Sequence, residues 1–558
     1  MKSSKYVFIV LFFLSLLAYG SSLKGSFIWD DKPLIADNSF IKDPRVLSKV
    51  FLSDLYEKTR ANYYRPIFEL SLAFNYSISK SDTLSYHLVN IFSHFCVTVL
   101  FYLFLYRLTR DSFISFASSL IFAIHPIHSQ VVTYISGRAD SLAAVFIMFA
   151  LLFFSAAFTK RSYFLSLLCF ALALLTKETA IMLPLILIFW GVKKALPFFA
   201  MAAVYIVMRF TILNFAAGNP FLEKKGFAVL EVGLWPRVMI FFKTLLIYFG
   251  SFFAPVRLHL ERIVAYESMN LFYWLGIVIA AFLCAVLCAR FKGFEKDKKK
   301  VVGFFIFWFF VWLFPQSAFI FPRIMAEHFL YLPSMSLCFF IALSVQGLKQ
   351  ESGKRILLVF ISVYFITLGW LNNKNWQNEL VFFENTVRLS PYSIRARDSL
   401  AALYLDARRY GDAEAQYREL LTYSDILEDR VQKDKAKSSC FYNLGIIFEK
   451  YSMFEEALMA YRLAVVFDPN MPQGYNNAGL VLQRFGDKEA AKEAFKKAME
   501  VDPQYYQAYN NLAQLYAQDN RLWDAIGLWM QALAIYPDYH IAKKNVDIAQ
   551  KLLTFERK

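Results

Sequence analysis

Adjacent carboxylates Asp30 and Asp31 follow Phe27-Ile28-Trp29 at the start of a long polar stretch. In an aromatic setting one member of such a pair can act as a general base, its pKa adjusted by burial and by its neighbour. Asp31 takes a slight preference for that role, and the competing reading is an ordinary Asp-rich turn. Three further groups of ionisable residues lie beside apolar runs: His125-Pro126-Ile127-His128 through Gly137-Arg138-Ala139-Asp140, Lys177-Glu178, and Pro322-Arg323 through Glu327-His328. Arg138, Lys177 and Arg323 suit a lipid phosphate or diphosphate, arginine being able to bind it bidentately. Snorkelling to the membrane surface is the plainer alternative for each. His125 and His128, three apart across a proline, do not define a metal-ligand pair, and no cysteines form a C-x-x-C motif, so no metal site is expected.

Long apolar segments must position these groups. Of 558 residues, 58% are hydrophobic, and the mean hydropathy is +0.40, which excludes a purely soluble globular protein. Twelve segments could cross a bilayer, near 5-23, 86-106, 111-126, 139-159, 162-176, 179-192, 195-213, 237-254, 271-289, 301-316, 332-348 and 355-372. The net charge of +16 sits in short clusters between them, at Arg107 and Arg110, Lys160 and Arg161, Lys193 and Lys194, Lys296 to Lys300, and Lys349 to Arg355. Such clusters mark cytoplasmic loops rather than a nucleic-acid surface. Alternation from an inside N-terminus then requires that one segment, 237-254 with its Lys243, be interfacial or re-entrant. Eleven crossings result, with the first loop (24-85), the ionisable groups and the C-terminal domain all external. The first segment reads as a retained span rather than a cleaved signal.

After residue 373 the periodicity changes. Pro469, Pro503 and Pro537 recur at one fixed interval, and Ala457, Ala491 and Ala525 recur at the same one. That interval is the tetratricopeptide-repeat (TPR) period of roughly 34 residues. About four repeats, a half-repeat at 376-391 and a capping helix from Ile541 fill 374-558. The fold class expected is therefore all-α: a polytopic helical membrane domain at 1-373 followed by an α-solenoid. Asn443, Asn476, Asn477, Asn510 and Asn511 fall on first helices of successive repeats, where amides can grip an extended peptide acceptor or simply bond between helices.

The Trp29-Asp30-Asp31 loop, Tyr64-Arg65-Pro66-Ile67, His87 and Asn90, His-Pro-Ile-His at 125-128, Gly-Arg-Ala-Asp at 137-140, Lys177-Glu178, and Glu327 through Tyr331-Leu332-Pro333-Ser334 occur in that order before the repeats. Together they resemble the transmembrane-and-TPR-containing protein O-mannosyltransferases and their bacterial relatives, over nearly the whole chain. The resemblance implies a GT-C-like glycosyltransferase that takes sugar from a polyprenyl-phosphate donor. It implies that Asp30 or Asp31 deprotonates the acceptor and that Arg138, Lys177 or Arg323 holds the donor phosphate. Arg65, His87, His125, His128, Asp140, Glu178, Glu327 and His328 are further site candidates. Gln130 and His328 depart from the family pattern, which often has an acidic residue and an arginine there.

The expected function is transfer of a sugar, mannose among the options, to a protein hydroxyl or glycan at the external face. No cofactor is implied beyond the lipid-linked donor, and a divalent metal has no support in the sequence. A bacterial cytoplasmic membrane is the expected location, or the endoplasmic reticulum in a eukaryote. The alternatives are a non-enzymatic TPR scaffold for envelope or secreted proteins, a transporter, and a lipid-linked glycan polymerase or ligase. An anchor needs one span, and the long first loop with its acidic pair favours the transferase.

Overall fold

The computed structural model describes residues 2–43, 50–52, 63–156, 159–213, 234–262, 295–315, 325–425 and 430–556. Two compact units form, Met1–Ser390 and Pro391–Lys558. The described residues are helical with turns and loops between, as the apolar runs and the repeat period require.

In the first unit, four described segments are long and apolar enough to cross a membrane: Lys5–Lys24, Thr83–Thr109, Ile135–Phe154 and Glu351–Trp376. Thr83–Thr109 shows how sequence sets such bounds. Asp82 caps its start by accepting from the Leu84 N–H, and Arg110, at φ +55°, turns the chain out of the helix. The twelve-segment expectation is revised in kind. Segment 111-126 is a helix, Ser112–Ile124, bent by 52° against Pro126–Val132, because Pro126 cannot continue the backbone ladder. Segments 179-192 and 332-348 appear as the shorter pieces Glu178–Trp190 and Ser334–Gln346. Leu234–Phe253 is one continuous helix that buries Phe241, Leu245, Tyr248 and Phe252, while 271-289 lies outside the described residues. The stretch 24-85, read as a loop, contains the helix Pro66–Ser79.

The first and last spans lie against one another. Trp370 Nε1 donates to the Leu17 carbonyl at 2.6 Å and Asn373 Nδ2 to that of Ala18 at 3.1 Å. Between them runs a groove of about 470 Å³ lined by Phe13, Leu16, Leu17, Gly20, Ser21 and Trp370.

The second unit stacks helix pairs: Ile394–Asp406 with Tyr410–Ser424, Arg430–Lys450 with Phe454–Phe467, Pro472–Arg484 with Lys488–Val501, and Tyr506–Gln518 with Leu522–Ile535, closed by His540–Glu556. In two of these pairs a glycine meets a ring. A Cβ on Gly445 would sit 2.6 Å from the Tyr461 ring, and one on Gly479 2.7 Å from that of Phe495. Both are too close for any side chain, so glycine there is a packing requirement.

Candidate active site

The segment that the proline breaks, 125–137, is the hub of the site. Its tight return is possible because Gly137 lacks a side chain: a Cβ there would fall 2.2 Å from the Gln130 carbonyl oxygen. From this hub, bonds run to three other parts of the unit. The Ser136 N–H donates to Asp31 Oδ1 at 2.9 Å, and its hydroxyl bonds the same oxygen. Tyr134 Oη accepts from the Asp30 N–H at 3.2 Å. Asn373 Oδ1 accepts from the hydroxyls of Ser129 and Thr133, which ties the hub to the end of the last span. Gln130 Oε1 accepts from the His328 N–H at 3.0 Å. The two positions that depart from the family pattern are thus neighbours in space.

The acidic pair is split by its surroundings. Asp31 is buried and accepts three hydrogen bonds, from the Ile28 N–H and both Ser136 donors. Burial pushes its carboxyl up to about 7, against the hydrogen bonds, which pull it down. Asp30 is half-buried. Trp29, at φ +50°, anchors the turn: its N–H donates to Glu379, and its ring packs on Phe382 and Phe383.

Arg138 is 1% exposed and donates through all three guanidinium nitrogens, to Asn90 Oδ1 at 2.7 Å and to the carbonyls of Ser71 and Tyr86. Its geometry is that of a brace between helices. Lys177 pairs with Asp140 at 2.5 Å, and Arg65 grips Glu178 bidentately, so these four candidates converge on one charged cluster. Arg323 lies outside the described residues.

The histidines pack against neighbouring helices and rings, with His125 Nε2 and His87 Nδ1 buried and making no hydrogen bond. His128 bonds the Phe122 carbonyl and the Ser334 hydroxyl, and His125 Nδ1 accepts from the Ile127 N–H while its ring lies between Phe252 and Phe365. His87 Nε2 lies 3.3 Å from the Gly25 carbonyl oxygen, at the start of the acidic loop. No group of three metal-ligating side chains occurs among the described residues. Glu327 is buried, accepts from the His259 N–H at 2.8 Å and faces Arg262 at 3.5 Å; burial raises its carboxyl to about 7. His328 is half-buried, its ring edge-on to Phe329.

Sequence reasoning missed Tyr134, Ser136, His259 and Asn373 as partners of the site. Each is an ordinary polar residue whose role appears only when distant segments meet. Among the repeat asparagines, Asn476 and Asn510 are buried, and their contacts fit the second of the two readings, bonding between helices. Asn511 donates to Asn476 at 2.8 Å, and Trp529 Nε1 donates to Asn510 at 3.1 Å. They bridge helices because a buried amide must find partners. Asn443, Asn477 and Asn511 are half-buried and hold the same position in successive repeats.

A tetratricopeptide-repeat family profile matches residues 476–540. The chain is 24% identical to the protein O-mannosyl-transferase TMTC3 of Homo sapiens over 524 residues, which is 82% of this chain and 54% of that protein. It is 26% identical to human TMTC1 over 73% of this chain and 54% of that one, and 24% identical to a Caenorhabditis elegans protein O-mannosyl-transferase over 73% and 61%. The chain thus spans between half and two thirds of the length of these relatives. Among solved structures, a TPR protein of Thermus thermophilus aligns with 34% of this chain and 94% of its own at 20% identity and a TM-score of 0.25. YrrB, described as a TPR protein with an unusual peptide-binding site, aligns with 30% and 80% at 22% identity and a TM-score of 0.24.

Proposed function

We propose that this chain, a homologue of the TMTC protein O-mannosyl-transferases, is a membrane glycosyltransferase that moves a sugar, mannose by its relatives' names, from a polyprenyl-phosphate donor to a protein hydroxyl. The observation that carries the reading is the acidic pair held at the end of the spans. Asp31 is buried with three hydrogen-bond donors on it, which fixes the loop, and the half-buried Asp30 is tethered there through its main-chain N–H, which donates to the Tyr134 hydroxyl.

The slight preference for Asp31 as base therefore passes to Asp30. Its carboxylate takes the proton of the acceptor hydroxyl, the acceptor oxygen bonds to the anomeric carbon, and the bond from that carbon to the phosphate oxygen breaks to release polyprenyl phosphate. Asp31 is the positioning residue. The apolar groove between the first and last spans suits a prenyl chain, and its Gly20 and Ser21 end leads into the acidic loop. The half-buried column Asn443, Asn477 and Asn511 suits a peptide acceptor. Loop and repeats share the external face of a bacterial cytoplasmic membrane, or the lumenal face of the endoplasmic reticulum in a eukaryote.

The test uses purified full-length chain, labelled polyprenyl-phosphate mannose and a protein acceptor. Asp30→Asn should lower transfer by roughly 10² to 10⁴ with donor binding intact. Because Asp31 ionises near 7, wild-type transfer should rise as pH passes upward through that value, and Asp31→Asn should flatten the rise. Turnover that is unchanged in both single variants and in the double variant removes the pair from the mechanism.

A further inference from the structure

The helix Glu379–Leu389, in the half-repeat stretch after the last span, lies in the first compact unit and packs against the acidic loop. Asn378 caps it, its side chain accepting from the Val381 N–H at 2.9 Å, so Glu379 stands in the first turn, where a helix N-terminus favours a carboxylate. One oxygen of Glu379 accepts from the Trp29 N–H at 3.2 Å, and the other pairs with Lys32 Nζ. A single side chain thus holds both flanks of Asp30-Asp31. Just before the helix, the Gln377 carbonyl accepts from the Ser26 N–H at 3.0 Å.

Rings complete the hold. Trp29 packs edge-on to Phe382, Phe382 packs on Trp376 at 5.1 Å, and Trp376 packs at 5.7 Å on Tyr134, whose hydroxyl accepts from the Asp30 N–H. This circuit of contacts returns to the residue next to the one it left. Trp29 needs such a hold, because at φ +50° it stands in a left-handed conformation that a bulky residue keeps only when its surroundings over-determine it. Ring packing by itself needs no carboxylate. The bond from the Trp29 N–H to Glu379 is what ties the main chain of the turn, one residue before Asp30.

We infer that Glu379 is a second positioning residue for sugar transfer: it fixes Trp29 as Ser136 fixes Asp31, so that Asp30 is held from both sides along the chain; the inference rests on the transferase reading above. A general base must stay within hydrogen-bond reach of the proton it takes, and a misplacement of about 1 Å can cost roughly 10² in rate. Glu379 touches neither donor nor acceptor in this role. It acts through the turn.

The experiment measures transfer by the full chain in nanodiscs, with labelled polyprenyl-phosphate mannose and a protein acceptor, together with hydrogen exchange over residues 26–34. Glu379→Ala should lower kcat about 10- to 100-fold and leave the donor and acceptor KM within about twofold, since no binding contact is lost. Exchange over 26–34 should quicken in the same variant. Glu379→Gln keeps an oxygen at the same reach for the Trp29 N–H and should restore most of kcat. Glu379→Asp keeps the charge and the helix start but is one methylene shorter, so it should be slow like the alanine variant; it carries the test if Glu379→Ala does not fold. Wild-type kcat in a folded Glu379→Ala or Glu379→Asp chain overturns the assignment. So does a Glu379→Gln chain as slow as alanine, which would give the effect to the ion pair with Lys32. A raised KM with kcat unchanged also overturns it, in favour of a binding role. A wild-type chain that transfers no sugar, with exchange over 26–34 still dependent on Glu379, would sink the transferase reading and leave the hold on the turn standing.

Discussion

The two units bury polar groups in opposite ways. Among the described residues of the repeat unit, buried charge is confined to Arg397, which pairs with Glu419, and the stem of Lys492, which pairs with Glu489 and Asp519; the core is alanine against ring, renewed in each repeat. In the membrane unit, Asp31, Glu69, Arg138, Lys177 and Glu327 are all buried, and the partners of Asp31, Arg138 and Lys177 come from distant segments of the chain. Repeats can be stabilised by neighbours close in sequence, since each unit buries its face on the next. Buried charges in apolar surroundings persist only with specific partners, and such partners are expensive unless they serve a purpose. The contrast teaches that the first unit, unlike the repeats, depends on polar groups that are buried and bonded non-locally.

The largest effect expected from this contrast is at Arg138. Arg138→Ala strands Asn90 and two carbonyls and should cost the membrane unit about 3 kcal/mol or more. Thermal unfolding in detergent should fall sharply while hydrogen exchange in the repeats stays unchanged. An unmoved unfolding temperature would break the comparison, because the buried charge would then be dispensable.

A smaller effect is expected at Gly479, where a methyl group would press on the Phe495 ring. Gly479→Ala should cost about 1 to 3 kcal/mol, read as faster hydrogen exchange limited to Pro472–Val501 and its neighbouring repeats. Phe495→Leu in the same chain should relieve part of it. Spread of the effect into Thr83–Thr109 would show that the units do not respond separately.

The smallest effect should come from the asparagine ladder. Asn511→Ala removes its bond to Asn476 and should cost about 1 kcal/mol. Because Asn511 is also half-buried in the proposed acceptor column, the acceptor KM sharpens the result. A rise in KM well beyond the loss of stability would assign the amide to peptide binding as well as to packing.

Much of this architecture was legible from residue order. The all-α class, the apolar helices and the TPR array follow from hydropathy and a strict repeat period, because both depend on local spacing. Gly445 and Gly479 stand one repeat apart, and the rings they meet stand on the very next helix. Of the candidate residues, the acidic loop is joined to the segment after the His-Pro-Ile-His break through Asp31 and Ser136, and Lys177-Glu178 pairs with Asp140 and Arg65. Their roles were not legible. Arg138 looks like a phosphate ligand in sequence and is a brace in the structure, since Ser71, Tyr86 and Asn90 reach it from other helices.

Spacing along the chain decides helices, repeats and the places where ionisable groups occur, because propensity and periodicity are short-range. How deeply each of those groups is buried, and from which segments its hydrogen bonds come, is decided only by packing. Asp31 is buried where Ser136, over a hundred residues away, bonds its carboxylate, whereas the adjacent Asp30 is half-buried. Desolvation and hydrogen bonding act over a few ångströms in space, and sequence distance does not measure that.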